Sequence, residues 1–218
     1  MSQKFYEGTT PETLLQVLGE VMAIDELLPF RLVGGTALSL QLGHRESYDI
    51  DLFTDEDIKK IDFKAIDKAL IRHFQYIDRG SFDDFNIGLM RFIGQSKSAA
   101  IKVDMFCTDP FIRPAIVKNG IRMAHIKDIS AMKLEIISCG GRKKDFWDIS
   151  ALLELYTLDQ LLNFYSERYP YHDHEEVLKG LTSYSEADEM EDPACLKGKI
   201  WELIKLDIEE AVKAYRKS

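Results

Sequence analysis

Asp49 and Asp51 stand on either side of Ile50 in the run YDIDLF. On a β-strand that alternation puts both carboxylates on one face and Ile50 and Leu52 on the other. Two like charges side by side repel, and burying them unpaired costs several kcal/mol or more. The arrangement therefore calls for a cation. A third acid, Asp104, lies in IKVDMF between Val103 and Met105, with Lys102 on the same strand face. If the two strands are neighbours, Asp49, Asp51 and Asp104 converge. Carboxylates on adjacent rigid strands suit Mg²⁺, which takes its other ligands from water and substrate phosphates. Two such ions about 4 Å apart can activate a hydroxyl and stabilise a leaving oxygen.

Gly34-Gly35 precedes this strand at a strand-to-helix junction, where backbone N–H groups attract phosphate and glycine permits close approach. Further on, Lys133 sits in MKLEIISC, a helical run apolar at Ile129, Met132, Ile136 and Ile137. Its ammonium can reach phosphate oxygens as a point charge. Arg142, Lys143 and Lys144 follow a second Gly-Gly and precede Asp145 and Asp148, either of which can pair with Lys133 or Arg142. Lys143 and Lys144 read as helix-end and surface charge. Arg45 can bind phosphate or neutralise the nearby acids, and both roles stay open. His44 reads as a loop residue packed on the core, and His172 and His174 as a solvated helix start, since no second cluster has metal-ligand spacing.

The elements that position these groups follow from periodicity. Thr9-Thr10-Pro11-Glu12 predicts a capped helix start, with apolar spacing running to Leu28 before Pro29. Residues 31–33 predict a short strand, 36–42 a helix stopped by Gly43, 48–53 the acidic strand and 58–74 a helix. The runs DFNIGLMRFIG and AAIKVDMFC, joined by GQSKS, predict a hairpin. From His125 the periodicity is helical: three runs, then an exposed loop at SEADEMEDP and a last helix over about 199–215. The chain divides into a mixed α/β part, 1–125, and a helical part, 126–218.

The 218 residues are 45% hydrophobic and 30% charged, a globular composition. A formal net charge of −9 argues against nucleic-acid binding by a globally basic surface, though not by a local patch. Cys107, Cys139 and Cys195 form no CxxC pair, which favours a reducing cytoplasm over a disulfide framework or zinc site. No secretory leader pattern and no membrane-length apolar run is present.

Taken together, GGTALSLQLGHRESYDIDLF, IKVDMF, MKLEII and GRKKDFWDIS resemble the AbiEii/AbiGii abortive-infection toxin family, within the DNA polymerase β-type nucleotidyltransferase superfamily. The resemblance implies an α+β fold, with a mixed-sheet nucleotidyltransferase core followed by a C-terminal helical region that completes the nucleotide pocket. It implies a phosphate turn at Gly34, Gly35 and Thr36, where the superfamily's usual Gly-Ser is Gly-Gly-Thr. Asp49 and Asp51 match the metal pair, and Asp104 the third carboxylate, often the base. Lys133, Asp145 and Asp148 match the lysine and the KDxxD block of the pocket, with Arg142 beside them. The implied activity is Mg²⁺-dependent transfer of a nucleotide from an NTP to a tRNA 3′ end or a protein hydroxyl, as a toxin with a cognate antitoxin. Two other readings remain: a nucleotide-binding module acting through a partner protein without turnover, and acids neutralised structurally by Arg45 and Lys102.

Overall fold

The computed structural model describes residues 4–84 and 87–217. Phe85 and Asn86, inside the expected strand run DFNIGLMRFIG, lie outside the described residues.

A mixed sheet of seven described strands carries the molecule, in the order β3-β4-β5-β2-β1-β7-β6. The strands are β1 (Arg31–Leu32), β2 (Ile50–Thr54), β3 (Tyr76–Asp84), β4 (Gly88–Gly94), β5 (Ile101–Cys107), β6 (Ile116–Lys118) and β7 (Ile121–Met123). The acidic strand β2 is central. It runs antiparallel to β1 and parallel to β5, with Asp51 directly opposite Asp104. The hairpin read from GQSKS is β4–β5. The β6–β7 hairpin was not anticipated, although Asn119 and Gly120 at its tip both have positive φ (49° and 77°), the requirement of a tight two-residue turn.

Helix α1 (Glu12–Met22) ends earlier than the apolar spacing suggests, because a 3-10 turn at Asp25–Leu27 follows it, burying Leu27 and leaving Leu28 exposed. Its expected hydroxyl cap is absent: Thr9 and Thr10 donate back to the carbonyls of Tyr6 and Glu7 instead. Helix α2 (Gly34–Leu42) begins at the glycine pair itself and stops at Gly43, whose φ is 66°. Helix α3 (Phe63–His73) is capped by Asp62. The helical half comprises α4 (Ile126–Ser138), α5 (Lys143–Leu153), α6 (Leu158–Arg168), α7 (His174–Leu181), α8 (Ser185–Asp188) and α9 (Trp201–Tyr215). The short α8 falls in the stretch expected to be loop, with Ala187 buried as its anchor.

One apolar core joins the sheet to the helices. Leu32, Ile50, Leu52, Val103 and Met105 from the strands are buried in the same cluster as Leu38, Ile129, Leu134, Phe146 and Ile149. Trp147 and Trp201 stack at 5.5 Å and tie α5 to α9. At roughly 25 cal/mol per Å² of apolar surface, such large side chains contribute about 1.5–3 kcal/mol each when fully buried. The rigid frame holds α4 and α5 beside the acidic strand.

Candidate active site

A cleft of about 200 Å³ opens where the start of α2, strand β2, helix α4 and the start of α5 meet. Gly34, Gly35, Ser47, Asp49, Asp51, Lys133, Arg142 and Lys144 form its polar side, and Val33, Phe53, Ile129, Met132 and Ile136 its apolar side. Each set follows its element's period: Asp51 and Phe53 share one face of β2, and Ile129, Met132, Lys133 and Ile136 one face of α4.

Asp51 lies at the bottom. Burial, then the charges of Asp104 and Asp49, push its carboxyl up to about 6 against the partial pull of Lys133 and Lys102. Gly34, at φ 67°, leaves the space above it: a Cβ there would lie 2.3 Å from Asp51 Oδ2. The backbone N–H groups at the start of α2 have no carbonyl one turn earlier in the helix to bond, so they are available to an anion held over the glycines.

Asp104 accepts from Lys102 Nζ at 2.5 Å through Oδ2, while its Oδ1 is buried without a hydrogen-bond partner. Asp49 is half-exposed just before β2, with Lys144 Nζ 3.6 Å away. Of the three acids, Asp51 and Asp104 meet, on neighbouring strands, the condition under which convergence was expected; Asp49 stays outside a three-carboxylate cluster, and Asp104 is not among the residues lining the cleft. Asp51 and Asp104 are register partners, and Asp49 stands at the mouth. Among the described residues no three carboxylate, imidazole or thiolate side chains are gathered into a ready metal cage. An adjacent carboxylate pair with an orphaned oxygen and a raised pKa nevertheless fits a hard divalent cation that completes its shell with water and substrate phosphate.

Behind the cleft the charges are locked together. Lys133 Nζ lies 2.7 Å from Asp145 Oδ1 and 2.6 Å from Asp148 Oδ2, all three side chains being almost fully buried. Asp148 also receives both arms of Arg45 (2.7 and 2.9 Å) and His44 Nε2 at 2.7 Å. Burial alone would raise Asp148, but Arg45 and Lys133 outweigh it and hold the carboxyl well below its ordinary value. Burial likewise opposes the charge on Lys133, which Asp148 and Asp145 overcome, so its pKa is raised. His44 goes the other way: burial lowers its pKa more than Asp148 raises it, so it donates to Asp148 as a neutral ring.

Several sequence expectations change here. Asp145 and Asp148 do not line the cleft; they fix Lys133 and Arg45 from behind. Arg45 neutralises Asp148 rather than the strand acids. The Thr36 hydroxyl turns away from the phosphate turn and donates to the Asp49 carbonyl at 2.5 Å, beside Ser47 Oγ at 2.9 Å, pinning the approach to β2. Lys144 is a cleft residue, not surface charge. Lys143 is buried against the Trp201 ring and pairs with Asp192 at 3.1 Å. Ser47 and the apolar wall were missed, although the α4 spacing contained the wall. His172 is exposed and His174 is the first residue of α7, the solvated helix start that was expected, and the two bond to Glu135 and Ser166.

A central mixed sheet with paired carboxylates beside a glycine turn, flanked by a helix carrying lysine, is the architecture of a nucleotidyltransferase fold. The sequence profile of the nucleotidyl transferase AbiEii toxin of type IV toxin–antitoxin systems matches residues 17–214, and the chain belongs to this family of nucleotidyltransferase toxins. The uncharacterized protein aq_aa25 of Aquifex aeolicus (strain VF5) is 30% identical over 185 residues, 80% of this chain and 82% of that one. MenT4, the nucleotidyltransferase toxin Rv2826c of Mycobacterium tuberculosis H37Rv, superposes with a TM-score of 0.58 at 11% identity, covering 92% of this chain and 83% of that one. A nucleotidyltransferase candidate from Helicobacter pylori superposes with a TM-score of 0.61 at 16% identity, covering 94% and 92%. No helix among the described residues is long and apolar enough to cross a membrane.

Proposed function

We propose that this nucleotidyltransferase toxin moves an NMP from an NTP to an acceptor hydroxyl, on a tRNA 3′ end or on a protein, in a Mg²⁺-dependent reaction in the cytoplasm under control of a cognate antitoxin. The observation that carries the reading is the Asp51–Asp104 register pair beneath Gly34, where a side chain would fill the space that a phosphate needs. The amides of Gly34 and Gly35 hold the triphosphate, with Arg142 and Lys144 at the mouth. Lys133, kept cationic and immobile by Asp145 and Asp148, adds a fixed positive charge. Asp104, through its unpartnered Oδ1, receives the proton of the acceptor hydroxyl. The acceptor oxygen bonds to the α-phosphorus as the bond to the bridging oxygen breaks, and pyrophosphate leaves. Mg²⁺ would be held by Asp51 and Asp104 with Asp49 beside them, and when bound supplies charge neutralisation at the phosphates. Positioning and electrostatics provide the rate, as in phosphoryl transfer generally.

The test is label transfer. The protein is incubated with Mg²⁺, each α-labelled NTP in turn, and total RNA or protein as acceptor, beside Asp104→Asn. Label on an acceptor with wild type, together with Mg²⁺-dependent release of pyrophosphate, both lost in the variant, is the expected result. Binding without metal-dependent pyrophosphate release would instead establish a nucleotide-binding module.

A further inference from the structure

A small cavity of about 10 Å³, room for one water-sized group, lies between α5 and the stretch around Cys195. Backbone pairing holds that stretch against the Arg45 loop. Leu196 N donates to the His44 carbonyl and Glu46 N to that of Ala194, both at 2.9 Å, and Cys195 is bridged to Arg45. His44 gives its Nε2–H to Asp148, so its Nδ1 carries a lone pair, which is buried and accepts no hydrogen bond. Trp147 Nε1–H is likewise buried and without an acceptor. The two side chains are only 2% and 3% exposed, and both line the cavity together with Cys195. Unsatisfied buried groups are rare in folded proteins, and an acceptor and a donor at one cavity mark the place of a hydroxyl. Cys195 is partly exposed and in no disulfide. Burial would raise its thiol, but the N–H groups of Lys197, Trp147, Lys199 and Gly198 outweigh it and lower the pKa, which favours the nucleophilic thiolate. The acid that lines the cavity, Glu154, is neutralised by Lys197 at 2.7 Å and Lys199 at 3.0 Å.

We propose that Cys195 is a peroxide-reactive modification site, whose sulfenic acid is held in this cavity with its hydroxyl between His44 Nδ1 and Trp147 Nε1. The thiolate attacks one oxygen of hydrogen peroxide. An S–O bond forms, the O–O bond breaks, and the departing hydroxide takes a proton from solvent to leave as water. Sulfur loses two electrons and the peroxide gains them. The S–OH hydrogen is donated to His44 Nδ1 and its oxygen accepts from Trp147 Nε1, so each group gains the partner it lacks. Room for one oxygen admits this first step and obstructs the second, to sulfinic acid, which would add another oxygen and a charge. Because His44 and Arg45 both bond to Asp148, the added hydroxyl stands one hydrogen bond from the charge lock of the cleft.

The experiment treats the reduced full chain with hydrogen peroxide and traps sulfenic acid with dimedone, at once or after a delay, reading each cysteine peptide by mass spectrometry. Adduct should form at Cys195 ahead of Cys107, whose thiol burial raises, and ahead of Cys139, which is exposed just past α4. After the delay Cys195 should still yield adduct, while Cys139 passes on to sulfinic acid. Trp147→Phe keeps a ring against Trp201 but removes the donor, and should cut the Cys195 adduct roughly 3- to 10-fold. Labelling at Cys139 as fast as at Cys195 would overturn the proposal and leave the cavity to a bound water. So would equal Cys195 adduct in wild type and a Trp147→Phe protein of unchanged circular dichroism. If that variant does not fold, the ranking of the three wild-type cysteines decides alone.

Discussion

Replacing Asp51 with asparagine should make the metal-free protein more stable while abolishing its chemistry. The carboxyl is displaced from 3.8 to about 6, chiefly by burial and then by Asp104 and Asp49. Ionising it at pH 7 therefore costs the native state about 3 kcal/mol relative to the unfolded chain. Between about pH 4 and 6 the native carboxyl keeps a proton that the unfolded chain has lost. Wild-type stability thus falls as pH rises through that window and levels off above it. An asparagine removes the charge but leaves a partly satisfied amide, which returns about 1 kcal/mol. The net gain at pH 7 is about 2 kcal/mol, or roughly 4–8 °C in Tm for a chain of this size. Urea and thermal unfolding in EDTA, at pH 4 and pH 7, measure it. The advantage should be present at pH 7 and disappear near pH 4. Equal stability at pH 7, or a gain of the same size at both pH values, would refute the account of Asp51 as a strained, charge-repelled acid.

Gly34→Ala should remove Mg²⁺–NTP binding, because its methyl would lie 2.3 Å from Asp51 Oδ2 at a φ of 67°; calorimetry showing unchanged affinity would dismiss the glycine turn as a phosphate site. Asp148→Asn should destabilise the fold by roughly 3–5 kcal/mol, since Arg45 and Lys133 would lose a buried counter-charge; a urea midpoint within error of wild type would contradict that. Adding Mg²⁺ should raise the Tm of wild type but not of Asp51→Asn, and a shift of equal size in both would place the cation elsewhere.

The DxD strand was legible because strand period and charge speak together: acids on one face and fully buried Ile50 and Leu52 on the other leave little freedom. The convergence of Asp104 depended on a parallel pairing between strands some fifty residues apart, for which no local pattern exists. Asp145 and Asp148 could be read as partners of Lys133, but their spacing is the same whether a helix turns its acids toward a ligand or toward its own core. Burial decides, and burial is a property of the assembled fold. Lys144 illustrates the same limit, since a lysine in the first turn of a helix looks like surface until β2 lies beside it. The β6–β7 hairpin is different: Asn119-Gly120 was a readable turn signal, overshadowed by strands of only three residues each.

The charge lock behind the cleft has a consequence for the order in which the cleft is assembled. All three acids and the glycine turn have been synthesised by residue 104, but the α4 side of the cleft starts at Ile129 and the counter-ions behind it end at Asp148. The loop bearing Arg45 is then clasped by the much later stretch around Ala194 and Leu196 through backbone hydrogen bonds. On a growing chain, the loop that carries Arg45 therefore gains these backbone partners only after the stretch around Ala194 and Leu196 has emerged and folded back.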